Sequence, residues 1–372
     1  LMIAIDAFMG EMAAISDYVV PDYTQYEAWG FPTMEGNTTD KNTAMRWPVS
    51  EPKTMKIDDH RHACYENYLI DVAKKIGLPG FGDQGLTDAE GNWYPVNSGE
   101  DVFLRAAVNM AFDTDTPVPQ ISEEERRMIA FDTYKARWSH VQLTDEEWNR
   151  VAYLMSRGGR FSEYGSGFTG EDYNFPYTGI TNIYLEKWAT SFNAFTGECF
   201  SGSLEYHDQT LADGIVLGAK YDLTEYPFRG ISYKAKFRSV SMLDNSILRD
   251  IAPTNAVEIN DEDAARLGLV TGDQVRVTSA TGGEAYGRIT ARPGVAKATI
   301  AVAFGYGHWE YNTKPYEIDG QLVDKRADPK IGMNLVAVSL LDPTFEGKLF
   351  GLSEMVSGMC ARNGGAYRIE KL

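Results

Sequence analysis

The sequence predicts a mixed α+β fold: an α/β first part with helices and long loops, followed by a β-rich part that closes into a barrel. Three observations predict it. Two short apolar strands flank a helical pattern within residues 1–21, which reads as an α/β crossover. Two later helices open on complete capping boxes. From about Tyr226 the texture changes to short β runs punctuated by glycine around one small helix, as in a closed barrel.

Composition bounds the rest. A chain of 372 residues with 43% hydrophobic and 12% aromatic content can bury a sizeable core, and its length fits about two domains. The change of texture sets their boundary near residue 216, giving segments 1–215 and 216–372. No apolar run reaches the ~18 to 20 residues that span a bilayer, and mean hydropathy is −0.33. The 35 basic and 53 acidic residues leave a net charge of −18, and the acids are scattered. That describes a solvated acidic surface and argues against non-specific nucleic-acid binding. A ligand carrying phosphates would need a local basic pocket.

The elements follow in order. The run Leu1 to Asp6 reads as a buried strand entered mid-fold, as though an N-terminal portion precedes it, because it has neither a basic leader nor a cleavage site. A helical pattern spans Met12 to Ile15, and Tyr18 to Pro21 forms a second strand stopped by proline. Residues 31–59, rich in Thr, Asn, Pro and Gly, read as a long ordered loop. Ala63 to Ile76 has helical spacing and ends at Gly77 with Pro79 beyond. Ser122 with Glu125, and Thr144 with Glu147, match the capping box. Trp148, Val151, Ala152 and Met155 then make an apolar stripe that stops at Gly158 and Gly159.

Residues 161–215 are dense in Gly, Tyr and Phe. They read either as a rigid binding surface or as filling between domains. Strands are expected at Val257 to Ile259, Gln274 to Ser279, Glu284 to Ala291, Thr299 to Phe304 and Leu335 to Leu340. Asn260 caps the one short helix among them, which ends at Gly268.

No Walker loop, HExxH or GxSxG occurs, so the usual P-loop, zinc-protease and hydrolase signatures are absent from the sequence. Cys64, Cys199 and Cys360 lie far apart with no CxxC pair. They are read as buried structural thiols, not as metal ligands.

Three clusters carry polar chemistry. In "SYKAKFRSVSMLDNS", residues 232–246, an extended strand would place Lys234, Lys236 and Arg238 on one face. That face suits an anion, or equally a solvated edge strand blunted by lysine. In "AFGYGHWEYN", residues 303–312, Gly305 and Gly307 allow close backbone approach, with Tyr306, His308 and Trp309 beside them. The same residues also suit a tight turn leaving a barrel. In "ARNGGAYRIEKL", residues 361–372, Arg362 and Asn363 precede a glycine pair and a final strand. None of the three holds a nucleophile beside a base; together they suit a planar, polyanionic ligand.

The order of the motifs carries a resemblance. Residues 255–295, "NAVEINDEDAARLGLVTGDQVRVTSATGGEAYGRITARPGV", resemble the cofactor-binding domain of the molybdopterin oxidoreductases of the DMSO reductase superfamily. The opening "IDAFMGEMAAISDYVVPDYTQYEAWG" resembles a segment that comes late in their catalytic subunits. The three polar clusters are most similar to those of tetrathionate reductase catalytic subunits, close to arsenate and polysulfide reductases.

The resemblance implies that the second part is a double-psi β-barrel binding two molybdopterin guanine dinucleotides with molybdenum or tungsten. It assigns Lys234, Arg238, Ser239 and Asn245 to a loop over the pterin and phosphates, and Gly305, Tyr306, Gly307 and His308 to a pterin cradle. Asn334, Arg362 and Asn363 complete the shell. It implies that a [4Fe–4S] centre and the metal ligand belong to an N-terminal part of the catalytic subunit outside this sequence.

The activity so implied is anaerobic respiratory reduction of a small sulfur oxyanion on the periplasmic face. Its partners would be a membrane anchor and an iron–sulfur electron-transfer subunit. Arg157 and Arg160 are the candidates for a basic substrate funnel, or else residues serving a helix C-terminus. A module that binds cofactor or partners without chemistry, and a sugar- or peptide-binding β domain, are the rival readings.

Overall fold

The opening crossover forms as predicted, except that its first strand is not buried as expected: Leu1, Met2, Ile3 and Asp6 are exposed and Ala4 and Ile5 half-buried. Strand β1 (Ile3–Asp6), helix α1 (Glu11–Ala14) and strand β2 (Tyr18–Pro21) follow one another, and the strands pair in parallel from Ile3 opposite Tyr18 to Asp6 opposite Pro21. The structure, a computed structural model, describes residues 1–32, 42–113, 116–174, 176, 182–206, 208–238, 245–307, 316–318, 320–323, 332–333, 338, 341–346, 351–353, 359 and 363–372. The chain separates into two compact units, Leu1–Gly179 and Ile180–Leu372.

The first unit is helical around one core. Helix α2 (Tyr65–Lys75) starts two residues later than the spacing predicts, because Cys64 at its N-cap is extended at φ −161°. Strands β4 (Gly82–Thr87) and β5 (Trp93–Val96) form a hairpin. Helices α3 (Gly99–Phe112), α4 (Glu123–Met128), α5 (Phe131–Arg137) and α6 (Asp145–Arg157) follow. Both predicted capping boxes close. Ser122 and Thr144 accept from the N–H of Glu125 and Glu147, whose carboxylates accept in return. The boxes satisfy amides that the helices leave free and orient the apolar faces inward.

Leu104, Ala107, Ala111, Phe131, Val151 and Leu154 are fully buried in the resulting core. Helix α6 ends at Gly158 in the left-handed conformation, φ +72°. Strand β6 (Gly159–Phe161) then pairs antiparallel with β3 (Asn42–Ala44), an element inside the stretch that the sequence presents as loop. A Cβ on Gly159 would lie 2.2 Å from the carbonyl oxygen of Thr43, so this pairing requires glycine. A two-residue hairpin, β7 (Phe168–Thr169) with β8 (Asp172–Tyr173), completes the unit.

The second unit holds the barrel. Short helices α7 (Glu186–Ala189) and α8 (Leu217–Lys220) lead into strand β9 (Phe228–Lys234). Helix α9 (Ser246–Ile251), strand β10 (Val257–Ile259), helix α10 (Asp261–Arg266), and strands β11 (Gln274–Ser279), β12 (Glu284–Ala291) and β13 (Thr299–Phe304) come next. A small hairpin, β14 (Tyr316–Ile318) with β15 (Gln321–Val323), and the last strand β16 (Ala366–Lys371) follow.

Six strands close in the ring order β10, β12, β11, β16, β9, β13. The pairs β10 with β12 and β9 with β13 are parallel; the other four are antiparallel. Parallel neighbours need crossover connections in place of hairpins, consistent with the crossed double-psi barrel that the resemblance implies. The four strands predicted between Val257 and Phe304 have the expected bounds. The strand expected at Leu335 to Leu340 lies outside the described residues except for Val338, which is buried but in a 3-10 turn and not in a strand.

Val257, Ile259, Val275, Val277, Ile300 and Val302 are fully buried in the barrel core, each contributing roughly 1.5–3 kcal/mol by burial. Leu211 and Leu217 pack with Ala280, Leu352 and Ala366. That cluster ties the loop-rich stretch after residue 180 to the barrel-bearing unit, upstream of position 216. Among the described residues no helix is long and apolar enough to cross a membrane.

Candidate functional site

The parallel register of β9 and β13 sets Lys234 opposite Phe304. Whatever follows these strands therefore emerges side by side at one end of the barrel. After Lys234 the chain does not continue as a strand. Ala235 bridges back to Arg238 across a tight turn, leaving Lys234 and Lys236 exposed and Arg238 only 3% exposed. The expectation of three cations on one strand face is thereby corrected: the turn reverses the chain and sends one cation inward.

Arg238 meets the loop after β13. Its Nη2 donates to the carbonyl oxygen of Gly305 at 3.0 Å, and its guanidinium lies 4.8 Å from the centre of the Tyr306 ring, a cation–π contact. Its Nε and Nη1 are removed from solvent and have no hydrogen-bond partner among the described residues. Burial lowers its pKa; the neighbouring Tyr306 works upward and Arg249 works downward, with no carboxylate among these influences.

A desolvated cation without a counter-charge is costly unless an anion completes it. Gly305 and Gly307 have φ of +87° and +69°, conformations that side chains rarely tolerate. They turn the backbone beside Arg238 without a Cβ in the way. The buried Tyr306 hydroxyl titrates above its usual range because burial outweighs the attraction of Arg238, so it stays a neutral donor.

The C-terminal loop joins the same end. Asn363 Oδ1 accepts from the Ser232 N–H at 2.7 Å and from Ser232 Oγ at 3.1 Å, while the Gly364 N–H donates to Gly230 at 2.7 Å. Lys234, Arg238, Gly305, Tyr306, Gly307 and Asn363 are thus carried by three neighbouring segments. Asn245 has a different task. Its Oδ1 accepts from the Leu248 N–H at 3.0 Å and caps α9. Ser239, His308, Asn334 and Arg362 lie outside the described residues.

One residue that builds this end carries no sequence signal. Asn255 Nδ2 donates to the carbonyls of Ala303 (2.7 Å) and Met333 (3.0 Å), and its Oδ1 accepts from the Met333 N–H at 2.7 Å. It clamps the segment that leads to position 334 against β13, two residues before Gly305. A lone asparagine ahead of a strand reads as a turn residue, and its distant partners become visible only in the fold.

In the first unit, Arg157 and Arg160 line one cleft of about 620 Å³ with Tyr153, Pro117, Pro119 and Phe161. Both guanidiniums are engaged. Arg157 pairs with Glu125 at 2.7 Å and lies over the Tyr153 ring. Arg160 donates to the carbonyls of Met110, Asp113 and Thr116 at 2.8–3.0 Å, neutralising the C-terminal end of α3.

Cys64 is buried, and burial pushes its thiol up to about 12. Cys199 is exposed, which corrects the reading of it as buried: it sits on an isolated bridge with Phe192 in the loops before the barrel. Cys360 is outside the described residues.

The residues at the barrel end fit a planar polyanion, in that two orphaned guanidinium nitrogens can take phosphate oxygens and the glycines admit close approach. The family profile described as "Molydopterin dinucleotide binding domain" matches residues 230–339, which include Arg238, Asn255 and Gly305 to Gly307. Over 374 aligned residues and 100% of its own length the chain is 36% identical to a tetrathionate reductase subunit of Salmonella typhimurium, covering 36% of that protein. It is 27% identical over 385 residues to a selenate reductase subunit of Mesobacillus selenatarsenatis, covering 96% of this chain and 36% of that one. It is 29% identical to a tetrathionate reductase subunit of Archaeoglobus fulgidus over 83% of this chain and 29% of that one.

The chain thus spans about a third of the length of the curated relatives it matches. Among solved structures, acetylene hydratase from Pelobacter acetylenicus shares the fold: TM-score 0.50, 15% identity, 100% of this chain and 40% of that one. With a barrel of the expected topology, a cationic end suited to phosphates and a relative matched along the whole of this chain, the chain carries a molybdopterin dinucleotide-binding domain and is similar to part of the molybdopterin oxidoreductases.

Proposed function

We propose that this chain holds a pterin dinucleotide cofactor within a reductase whose substrate is a small chalcogen oxyanion, tetrathionate foremost. The observation that carries the cofactor reading is Arg238, 3% exposed with two guanidinium nitrogens that have no partner among the described residues, beside the glycine turn at 305–307. Its guanidinium would take the phosphates, fixed in place by the Gly305 carbonyl and the Tyr306 ring. Gly305 and Gly307 would let backbone approach the heterocycle, and Asn363 would fix the adjoining loop through Ser232. When bound, the metal and its dithiolenes supply the two-electron chemistry; this chain supplies orientation and charge.

The preference for tetrathionate rests on the 36% identity to a tetrathionate reductase subunit. Selenate is the second reading, on the 27% identity to a selenate reductase subunit; arsenate and polysulfide or thiosulfate follow from the motif resemblance alone. The two dinucleotides, molybdenum in preference to tungsten, the [4Fe–4S] centre elsewhere in the protein and the periplasmic location belong to the same proposal. So do the iron–sulfur and membrane-anchor partners, which are favoured because each relative is itself one subunit of a larger reductase. Arg157 and Arg160 remain the proposed basic lining of the substrate path.

The test is metal and nucleotide analysis of the full-length subunit, followed by turnover with tetrathionate, selenate, arsenate and polysulfide using a reduced dye as donor. Molybdenum with guanine nucleotide and fastest turnover of tetrathionate are expected. Loaded protein inert toward all four acceptors would reject the reductase reading and favour a cofactor-holding module without chemistry.

A further inference from the structure

We propose that Gln209 is a further contact residue for the bound dinucleotide, its amide pairing with the lactam edge of the pterin or guanine ring. This rests on the cofactor reading above. Gln209 lies outside the residues that the family profile matches.

The backbone of Gln209 is fixed. Its carbonyl accepts from the Leu217 N–H at 2.8 Å, Thr210 bridges to Val216, and Leu211 is fully buried against Leu352 and Ala366. The side chain is not satisfied. Both Nε2 and Oε1 are removed from solvent, and neither has a hydrogen-bond partner among the described residues. An orphaned donor and acceptor on one amide is unusual, because buried polar groups nearly always find partners.

The place where it occurs gives the chemistry. A Cβ on Gly364 would sit 3.6 Å from Gln209 Oε1, and Gly364 has φ +88°. The Gly364 N–H is bonded to Gly230 in β9, and Asn363 beside it is bonded to Ser232. The unsatisfied amide therefore borders the C-terminal loop that is bonded to β9, the strand that leads to Arg238 and lies beside the strand that leads to the glycine turn. A primary amide offers N–H and C=O side by side. The complementary edge is a lactam, C=O next to N–H, which pterin and guanine both carry.

The experiment uses the full-length subunit with Gln209→Leu and Gln209→Met, which keep volume and remove both polar groups. Pterin and guanine nucleotide retained per chain after dilution are measured, with Arg238→Met as comparison. Protein made in cells unable to synthesise the pterin is melted in parallel. The expected result is about tenfold weaker retention, equal to roughly 1.4 kcal/mol, together with an unchanged or higher Tm in the cofactor-free protein, since an apolar side chain then replaces an unsatisfied amide.

Retention equal to wild type in both variants, with Arg238→Met depleted, would overturn the role of Gln209 and leave the cofactor reading intact. A wild-type subunit without pterin would instead remove the reading on which it rests. In cells that make the pterin but do not guanylylate it, weaker retention in the variants places the contact at the pterin, and equal retention places it at guanine. A lower cofactor-free Tm in both variants would mark Gln209 as a structural residue and overturn the proposal.

Discussion

Replacing Arg238 by methionine separates a residue kept for a ligand from one kept for the fold. The guanidinium is 3% exposed, gives one hydrogen bond to Gly305 and leaves Nε and Nη1 without partners among the described residues. Each charge-assisted bond from those nitrogens to a phosphate would add about 1.5–3 kcal/mol. Losing two of them weakens cofactor retention by roughly 3–6 kcal/mol, or at least about 100-fold.

The cofactor-free chain should respond differently. Methionine forfeits the Gly305 bond, about 1 kcal/mol, and the Tyr306 contact, about 0.5–2 kcal/mol. It also relieves a buried cation that burial already disfavours, with no carboxylate among the described residues to offset it. The net stability change should fall within about 1–2 kcal/mol of zero, read from urea unfolding of protein made without pterin. Retention is read as metal and oxidised-pterin fluorescence per chain after gel filtration. A variant that keeps its cofactor while costing more than about 3 kcal/mol in the cofactor-free state would refute this reasoning and make Arg238 a structural residue.

Other substitutions test neighbouring parts of the account. Gly305→Ala, at φ +87°, should lower stability by about 1–2 kcal/mol and reduce cofactor content; unchanged urea midpoint and content would count against the glycine turn. Thr144→Ala removes one half of the α6 capping box, which should cost about 1 kcal/mol with pterin content per folded chain unchanged. Under native conditions the exposed Cys199 should react with a thiol reagent at pH 8, whereas Cys64, with its thiol pushed up by burial to about 12, should react only on unfolding; a Cys360→Ser background isolates the pair.

Asp58 is held down to about 2: burial works upward, but hydrogen bonds from the Arg61 side chain and the backbone of His60 and Arg61 outweigh it. Because the folded value lies below the unfolded one, its stabilising effect is complete above about pH 4 and is lost as the pH falls towards 2. Asp58→Asn should flatten that part of the acid-unfolding profile, and an identical profile would contradict the pairing.

Much of the fold is legible because it is written in local patterns. The capping boxes at Ser122 and Thr144, and the alternating apolar runs of the barrel, report their own elements. Helix α3 is harder to see: its box uses Asp101 at the third position, and its apolar residues Leu104, Ala107, Val108 and Ala111 are diluted by small side chains. Strand β3 is illegible because three residues in a polar stretch become a strand only when β6 supplies their partner.

The site divides in the same way. The glycine pair at 305 and 307 and the basic residues before 238 stand out in the sequence, but their geometry does not. That Arg238 turns inward while Lys234 and Lys236 stay in solvent depends on the bridge between Ala235 and Arg238. Asn255 acts through partners many residues away, and Gln209 borders Gly364 from far along the chain. The carbonyls of Met110, Asp113 and Thr116 that Arg160 binds lie far from it in sequence and become visible only in the fold.

The central claim is that the end of β9 and β13 grips an anionic pterin dinucleotide through Arg238. An experimental structure of the full-length subunit with its cofactor measures this directly, as the distance from Arg238 Nε and Nη1 to the nearest cofactor oxygen. The account predicts a hydrogen bond of about 3 Å from at least one of them. A cofactor lying elsewhere, with Arg238 instead paired to a carboxylate, would contradict it.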